Sequence, residues 1–119
     1  MSDRSVRALV RKVCLEQSFN EPPVTFGYGR WAHAHSDGIT LPSYEWLTDF
    51  DAADGKQHRL LVLHELAHWS TGREGHTPEF YLELFELCQR YGIKVSYAYD
   101  DEVKYKPRAA RAGLELLVA

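Results

Sequence analysis

The chain has 119 residues, of which 45 % are apolar and 26 % are charged, and its formal net charge at pH 7 is −3. A chain of this length and composition can bury one hydrophobic core, so we expect a single globular domain over 1–119. The small negative charge gives no general attraction for polyanions, so it supports neither nucleic acid nor a membrane surface as a partner.

The N-terminal segment predicts a cytoplasmic protein that begins with a helix. The first residues lack the apolar stretch of a signal peptide, and no run of the chain approaches the ~18 apolar residues of a membrane span. Apolar side chains then recur at helical spacing over 3–17. Cys14 on this apolar face and Cys88 in a later helix are expected to be buried thiols, with a disulfide as the alternative that their spacing leaves open. Another face of the helix is expected to be solvated and carries Arg4, Arg7 and Arg11.

A small antiparallel or mixed sheet is predicted over 24–42. The turn residues Ser36-Asp37-Gly38 separate two extended segments, which is typical of a hairpin. His33 and His35 alternate along its first strand, so we expect them on one exposed face. The edge from about Ala32 to Leu41 is expected to offer unpaired backbone groups to an extended peptide.

Two helices are predicted in the second half of the chain. Asp54 is suited to the N-cap of a helix over 55–70. Thr77 as N-cap and Pro78 at the first helical position predict a second helix over 77–91.

The tail over 93–119 gives a weaker pattern. Lys94 to Tyr99 has strand composition, and Pro107 is suited to open a last helix. Together the elements predict an α+β fold, in which the small sheet packs on the helix over 55–70 and on its flanking helices.

The helix over 55–70 contains the most informative motif of the chain. His64-Glu65-Leu66-Ala67-His68 is an HExxH sequence inside an apolar run. Histidines at i and i+4 lie on one helix face, close enough for both imidazoles to bind one zinc ion. Buried polar groups need partners, and a metal supplies them. The alternative is a helix whose histidines are satisfied by hydrogen bonds in the core.

A third zinc ligand is needed, and the sequence offers two kinds. His76 lies in the loop that follows the motif helix, where a chain reversal can return its side chain to the metal. A glutamate from the next helix is the alternative, for which the candidates are Glu79, Glu83 and Glu86. The amphipathic pattern of that helix favours a solvated face for these glutamates, so we expect His76 to be the ligand.

These residues carry a resemblance to a known family. His64-Glu65-Leu66-Ala67-His68, followed by Arg73-Glu74-Gly75-His76-Thr77-Pro78-Glu79-Phe80, resembles the catalytic core of SprT-like metalloproteases, the family that includes Spartan. The resemblance covers roughly 24–91 and implies a zincin-like fold, a peptide or protein substrate and Glu65 as general base. It implies one zinc ion bound by His64, His68 and His76. The chain departs from the family pattern at two points. Thr77 stands where glycine is usual, and no four-cysteine zinc ribbon follows.

The motif predicts hydrolysis of a peptide bond by a water that zinc activates, with Glu65 taking the proton. A further donor should stabilise the oxyanion, and five residues qualify: His33, His35, Tyr97, Tyr99 and Tyr105. Two other functions stay open, a zinc-stabilised module that only binds partners and a zinc hydrolase that acts on a non-peptide bond. The intact Glu65 favours catalysis over the first, since a structural zinc site needs no base.

Overall fold

A computed structural model describes residues 2–27, 32–42, 55–72 and 75–119 of the chain. Within these residues the fold is α+β, with five helices and a three-stranded sheet, which confirms the predicted class. In chain order the elements are α1 (Ser2–Gln17), β1 (Val24–Phe26), β2 (His33–His35), β3 (Gly38–Leu41), α2 (Lys56–Thr71), α3 (Pro78–Arg90), α4 (Val95–Glu102) and α5 (Pro107–Val118).

The sheet is mixed and has the strand order β1-β3-β2. β2 and β3 form the predicted antiparallel hairpin, whereas β1 runs parallel to β3. The parallel pairing brings the backbone close at Gly38, where φ is +151° and a side chain would run into the carbonyl of Pro23. Because β3 is paired on both sides, the expected free edge from Ala32 to Leu41 is wrong for its β3 part. Among the strands of the described residues, β2 is the edge within that range.

The core lies between one face of the sheet and the helices. Ile39 and Leu41 of β3 are fully buried, and the sheet packs against α2. On the other side of α2 lies α3, which also packs closely against α5 because Gly113 leaves no side chain between α5 and Tyr81. This arrangement holds α2, the helix that carries the HExxH motif, between the sheet and α3.

The predicted helix boundaries in the second half are close to the observed ones. α2 ends at Gly72, which adopts the left-handed conformation with φ 66°, and begins after Gly55 at its N-cap. Asp54, the predicted N-cap, lies outside the described residues. Thr77 caps α3 as predicted, and its side chain accepts a hydrogen bond from the backbone N–H of Phe80 at 3.2 Å.

The predicted strand from Lys94 to Tyr99 is wrong, because this segment belongs to α4. Its alternating Val95, Tyr97 and Tyr99 fit the period of a strand, but the residues that α4 buries are Ala98 and Glu102, four positions apart on one helix face. The helix predicted from Pro107 is confirmed as α5.

The remaining predictions for the first and third helices are confirmed. Cys14 and Cys88 are free and buried. Burial, with a smaller effect of Glu21, raises the pKa of Cys14 to about 11, and burial also raises the pKa of Cys88 to about 12. Three arginines of α1 are exposed: Arg4, Arg7 and Arg11. Among the described residues no helix combines the length and the apolar character that crossing a membrane requires.

Candidate metal centre

Three histidines converge at the end of α2. His64 and His68 lie four residues apart on α2, with ring centroids 5.0 Å apart, and His76 approaches from the loop before α3 with its ring 5.1 Å from His64 and 4.9 Å from His68. One nitrogen of each ring lies within 4.8 Å of the other two, close enough for one metal ion. The structure therefore brings together the three residues that the sequence proposed as ligands.

Phe80 of α3 packs against all three rings. Its ring is fully buried, stacks on His68 with centroids 4.1 Å apart, and meets His64 and His76 edge-on at 4.9 and 5.1 Å. The hydrogen bond from its backbone N–H to Thr77 fixes the start of α3 directly after His76. One local signal in the sequence, Thr77 followed by Pro78, thus positions both the third histidine and the apolar surface beneath the cluster.

Glu65 is buried beside the histidines, with 4 % of its surface exposed. The backbone N–H of Ala34 in β2 donates a hydrogen bond to its carboxylate, which ties the motif helix to the edge strand. Burial raises the pKa of Glu65 to about 6, while His64 and the Ala34 N–H oppose this rise and Glu102 adds to it. A carboxyl group with this pKa is partly protonated near pH 6 and a competent base at neutral pH.

Glu102 at the end of α4 is a member of the site that the sequence analysis missed. It is 5 % exposed, and its Oε1 lies 2.6 Å from Nδ1 of His64. Burial lowers the pKa of His64, but the contact with Glu102 and the charge of Glu65 outweigh burial, and the net effect raises it. The sequence indicates that Glu102 is buried only if its segment is taken as a helix, because Ala98 and Glu102 then lie on the same face.

The charges of the site fit a divalent cation. Glu65 and Glu102 are both buried, and among the described residues neither forms an ion pair with a lysine or an arginine. Two buried carboxylates without a lysine or arginine partner are costly, and a dication held by the three histidines would balance them. His76 suits this role, because burial and the nearby positive charges of His64 and Lys106 lower its pKa, despite an opposing effect of Glu102, and so favour the neutral ring.

The spacing of the donor nitrogens also fits zinc. Nε2 of His64 and Nε2 of His76 are 3.1 Å apart. Zinc–nitrogen bonds of about 2.0–2.1 Å at tetrahedral angles would separate two ligand atoms by about 3.3 Å. The His64–His76 pair is therefore close to the spacing of two zinc ligands, and the three donor atoms together lie within 4.8 Å of one another.

The alternative third ligands do not join the cluster. Among the described residues, the histidine cluster is the only group of three or more histidine, cysteine or acidic side chains close enough to hold one ion, and it contains no glutamate of α3. Glu79 is exposed, and Glu86 forms an ion pair with Arg90 at 3.7 Å. Glu83 is half-buried, and burial raises its pKa. The arrangement favours His76 over these glutamates.

The five proposed oxyanion donors make their observed contacts elsewhere. His33 and His35 lie on the sheet face opposite Ile39, and Nε2 of His35 is 3.3 Å from the hydroxyl of Thr40. Among the tyrosines, Tyr97 lies under the amino group of Lys56 at 4.8 Å and Tyr105 is 70 % exposed. Tyr99 faces Phe85, with ring centroids 6.3 Å apart. These contacts do not select one of the five, and the oxyanion donor stays unassigned.

Comparisons of the chain with protein-family models, with curated proteins and with solved structures gave no match in any of the three. The resemblance to SprT-like metalloproteases therefore stays a prediction that rests on His64 to His68 and on His76 to Phe80.

Proposed function

We propose that the chain is a zinc-dependent metallopeptidase with a zincin-like fold. The observation that carries this proposal is the convergence of three histidine rings beside the buried carboxylate of Glu65. His64, His68 and His76 would hold the ion through one ring nitrogen each. A purely structural site would gain nothing from a buried glutamate directly beside its ligands, whereas a hydrolytic site needs such a base.

The catalytic work is divided between the ion and Glu65. Zinc, when bound, supplies the positive charge that acidifies a water and polarises the scissile carbonyl. Glu65 takes the proton from the attacking water and delivers it to the leaving amine. The Ala34 N–H holds the carboxylate in place, and burial keeps its pKa close to the neutral range in which it must both accept and release a proton.

The substrate is proposed to be an extended peptide that lies along β2. Ile39 donates its N–H to Pro23, on the β1 side of the sheet, so its partner Ala34 directs its own N–H and carbonyl away from β3. The Ala34 N–H is bonded to Glu65, which leaves the Ala34 carbonyl as an acceptor for an incoming strand. Pairing through the main chain would make cleavage tolerant of substrate sequence and selective for unfolded segments.

The test compares wild type with Glu65→Gln in metal content and in cleavage of a broad set of unfolded proteins. Glutamine is nearly isosteric but cannot accept the proton, so the variant should keep stoichiometric zinc and lose activity by roughly 10² to 10⁴-fold. Glu79→Gln, the same change on the exposed face of α3, serves as the control and should cleave as wild type does.

Two outcomes would overturn the proposal. Equal cleavage rates for wild type and Glu65→Gln would remove Glu65 as the base. Stoichiometric zinc in a wild-type protein that cleaves no peptide would instead point to a binding module or to hydrolysis of another bond.

A further inference from the structure

We infer that Glu102 is a positioning residue of the metal centre, which holds His64 through Nδ1 and so presents the Nε2 lone pair of His64 to the ion. The inference rests on the proposed zinc site. It adds to that site a residue from α4, outside both the HExxH motif and the loop that carries His76.

The two nitrogens of His64 face different neighbours. Nδ1 lies 2.6 Å from the Glu102 carboxylate, and Nε2 lies 3.1 Å from Nε2 of His76 within the histidine cluster. A histidine that binds a metal is neutral and carries one N–H, and a carboxylate accepts but cannot donate, so with zinc on Nε2 the proton belongs on Nδ1. Nε2 is then a lone-pair donor that points into the cluster, which is the state a metal ligand requires.

The fold holds the Glu102 carboxylate in this position. The backbone carbonyl of Glu102 accepts hydrogen bonds from the N–H groups of Tyr105 at 3.1 Å and Lys106 at 3.2 Å, which fix the turn from α4 into α5. One helical turn earlier, Ala98 is fully buried against the core. Glu102 therefore projects from an anchored helix end, and its buried carboxylate lies against Nδ1 of His64.

Two other roles for Glu102 would leave different signatures. A direct ligand would have to reach the ion together with the three histidines, but Glu102 lies on the Nδ1 side of His64 and is not part of the cluster that could hold an ion. A simple ion pair with a doubly protonated His64 would put a proton on Nε2 and prevent that nitrogen from binding metal. Zinc affinity and the protonation of each ring nitrogen separate these roles.

The first measurement is zinc affinity, determined by competition with a chelating dye. Glu102→Leu removes the acceptor while keeping a similar volume, and it should weaken zinc binding about 10- to 100-fold, as loss of a support for a metal-bound histidine typically does. Glu102→Gln keeps a carbonyl acceptor and should bind zinc more tightly than the leucine variant. Asp100→Asn, which changes a neighbouring and exposed acidic residue, is the matched control and should bind as wild type does.

The second measurement reports the His64 tautomer, and its main readout needs only the wild type. Long-range proton–nitrogen NMR spectra of the zinc-loaded wild type should show His64 protonated at Nδ1 and zinc-bound at Nε2. The Nδ1 proton should exchange slowly with solvent in wild type and much faster in Glu102→Leu.

The outcomes separate failure of this inference from failure of the proposed function. A wild-type protein that binds no zinc would refute both the inference and the proposed function. Stoichiometric zinc in wild type, with undiminished affinity in Glu102→Leu, would overturn only the role of Glu102. If the leucine variant does not fold, the wild-type spectrum decides: coordination of zinc through Nδ1 of His64 would refute the inference.

Discussion

The protein contains two pairs of neighbouring histidines with nearly the same separation. His33 and His35 on β2 have ring centroids 5.2 Å apart, and His64 and His68 on α2 have ring centroids 5.0 Å apart. Within the part of the chain that the structure describes, only the second pair acquires a third ring and two buried carboxylates. Spacing along a strand or a helix therefore brings two rings together, but the third donor and the buried charge distinguish a candidate metal site from a polar surface.

In the strand pair, His33 and His35, the ring of His35 already has hydrogen-bond partners. Nδ1 of His35 accepts the backbone N–H of Asp37, and Nε2 lies within hydrogen-bond distance of Thr40, so neither nitrogen of that ring is left for a metal. His33 is exposed to solvent. The helix pair instead faces inward over Phe80, where an unpaired donor would be costly.

The largest expected difference is in zinc content, between a variant that removes one ring of the helix pair and a variant that removes one ring of the strand pair. His68→Ala should abolish stoichiometric zinc binding, because two ligands rarely hold zinc in a protein. His35→Ala should leave the zinc content at the wild-type level. Metal analysis of the two purified variants checks the difference, and retention of zinc in His68→Ala would remove the helix pair as the metal site.

The third ring is the next feature to test. His76→Ala should weaken zinc binding sharply, whereas separate alanine changes at three glutamates of α3 should leave it unchanged: Glu79, Glu83 and Glu86. Competition with a chelating dye measures the zinc affinity of each variant. Zinc retention in His76→Ala together with loss in one glutamate variant would transfer the third ligand to α3.

The contrast between the pairs also explains which parts of the site could be predicted from the sequence. The HExxH spacing was sufficient to place His64 and His68 on one helix face, and His76 was proposed from its position in the following loop and from the family resemblance. Glu102 was missed because it follows Asp100 and Asp101, and a run of three acidic residues is typical of a solvated surface. Its partner lies on another helix, which spacing within one segment cannot show.

In the fold, too, local signals predict some elements, whereas others depend on contacts between distant segments. α3 and α5 begin at Pro78 and Pro107, where proline marks the first helical turn directly. α4 was mistaken for a strand because eight residues are too few to separate a period of 2 from a period of 3.6. The parallel pairing of β1 with β3 depends on contacts between distant segments, for which the local pattern of β1 gives no indication.

The smallest expected effect concerns the carboxylates beside the two pairs, Glu65 buried at the helix pair and Asp37 exposed at the strand pair. After zinc is removed with a chelator, burial of Glu65 should destabilise the fold at neutral pH. Its pKa in the folded protein is raised from 4.5 to about 6, so the folded state binds more protons than the unfolded state between these values. The stabilisation from protonated Glu65 is complete below about pH 4.5 and is lost as the pH rises through 6.

Glu65→Gln should therefore increase the free energy of unfolding of the metal-free protein by about 1–2 kcal/mol at pH 7, with no gain at pH 4. Urea unfolding of both proteins at pH 4, 5, 6 and 7 measures this difference, in which the other titrating groups largely cancel. Asp37→Asn, the corresponding change on an exposed side chain, is measured alongside as the matched control. If Glu65→Gln increased the free energy of unfolding equally at pH 4 and pH 7, the destabilisation could not come from the buried charge of Glu65. Bound zinc should reduce the gain, since the positive charge stabilises the ionised carboxylate that the same residue needs as a base.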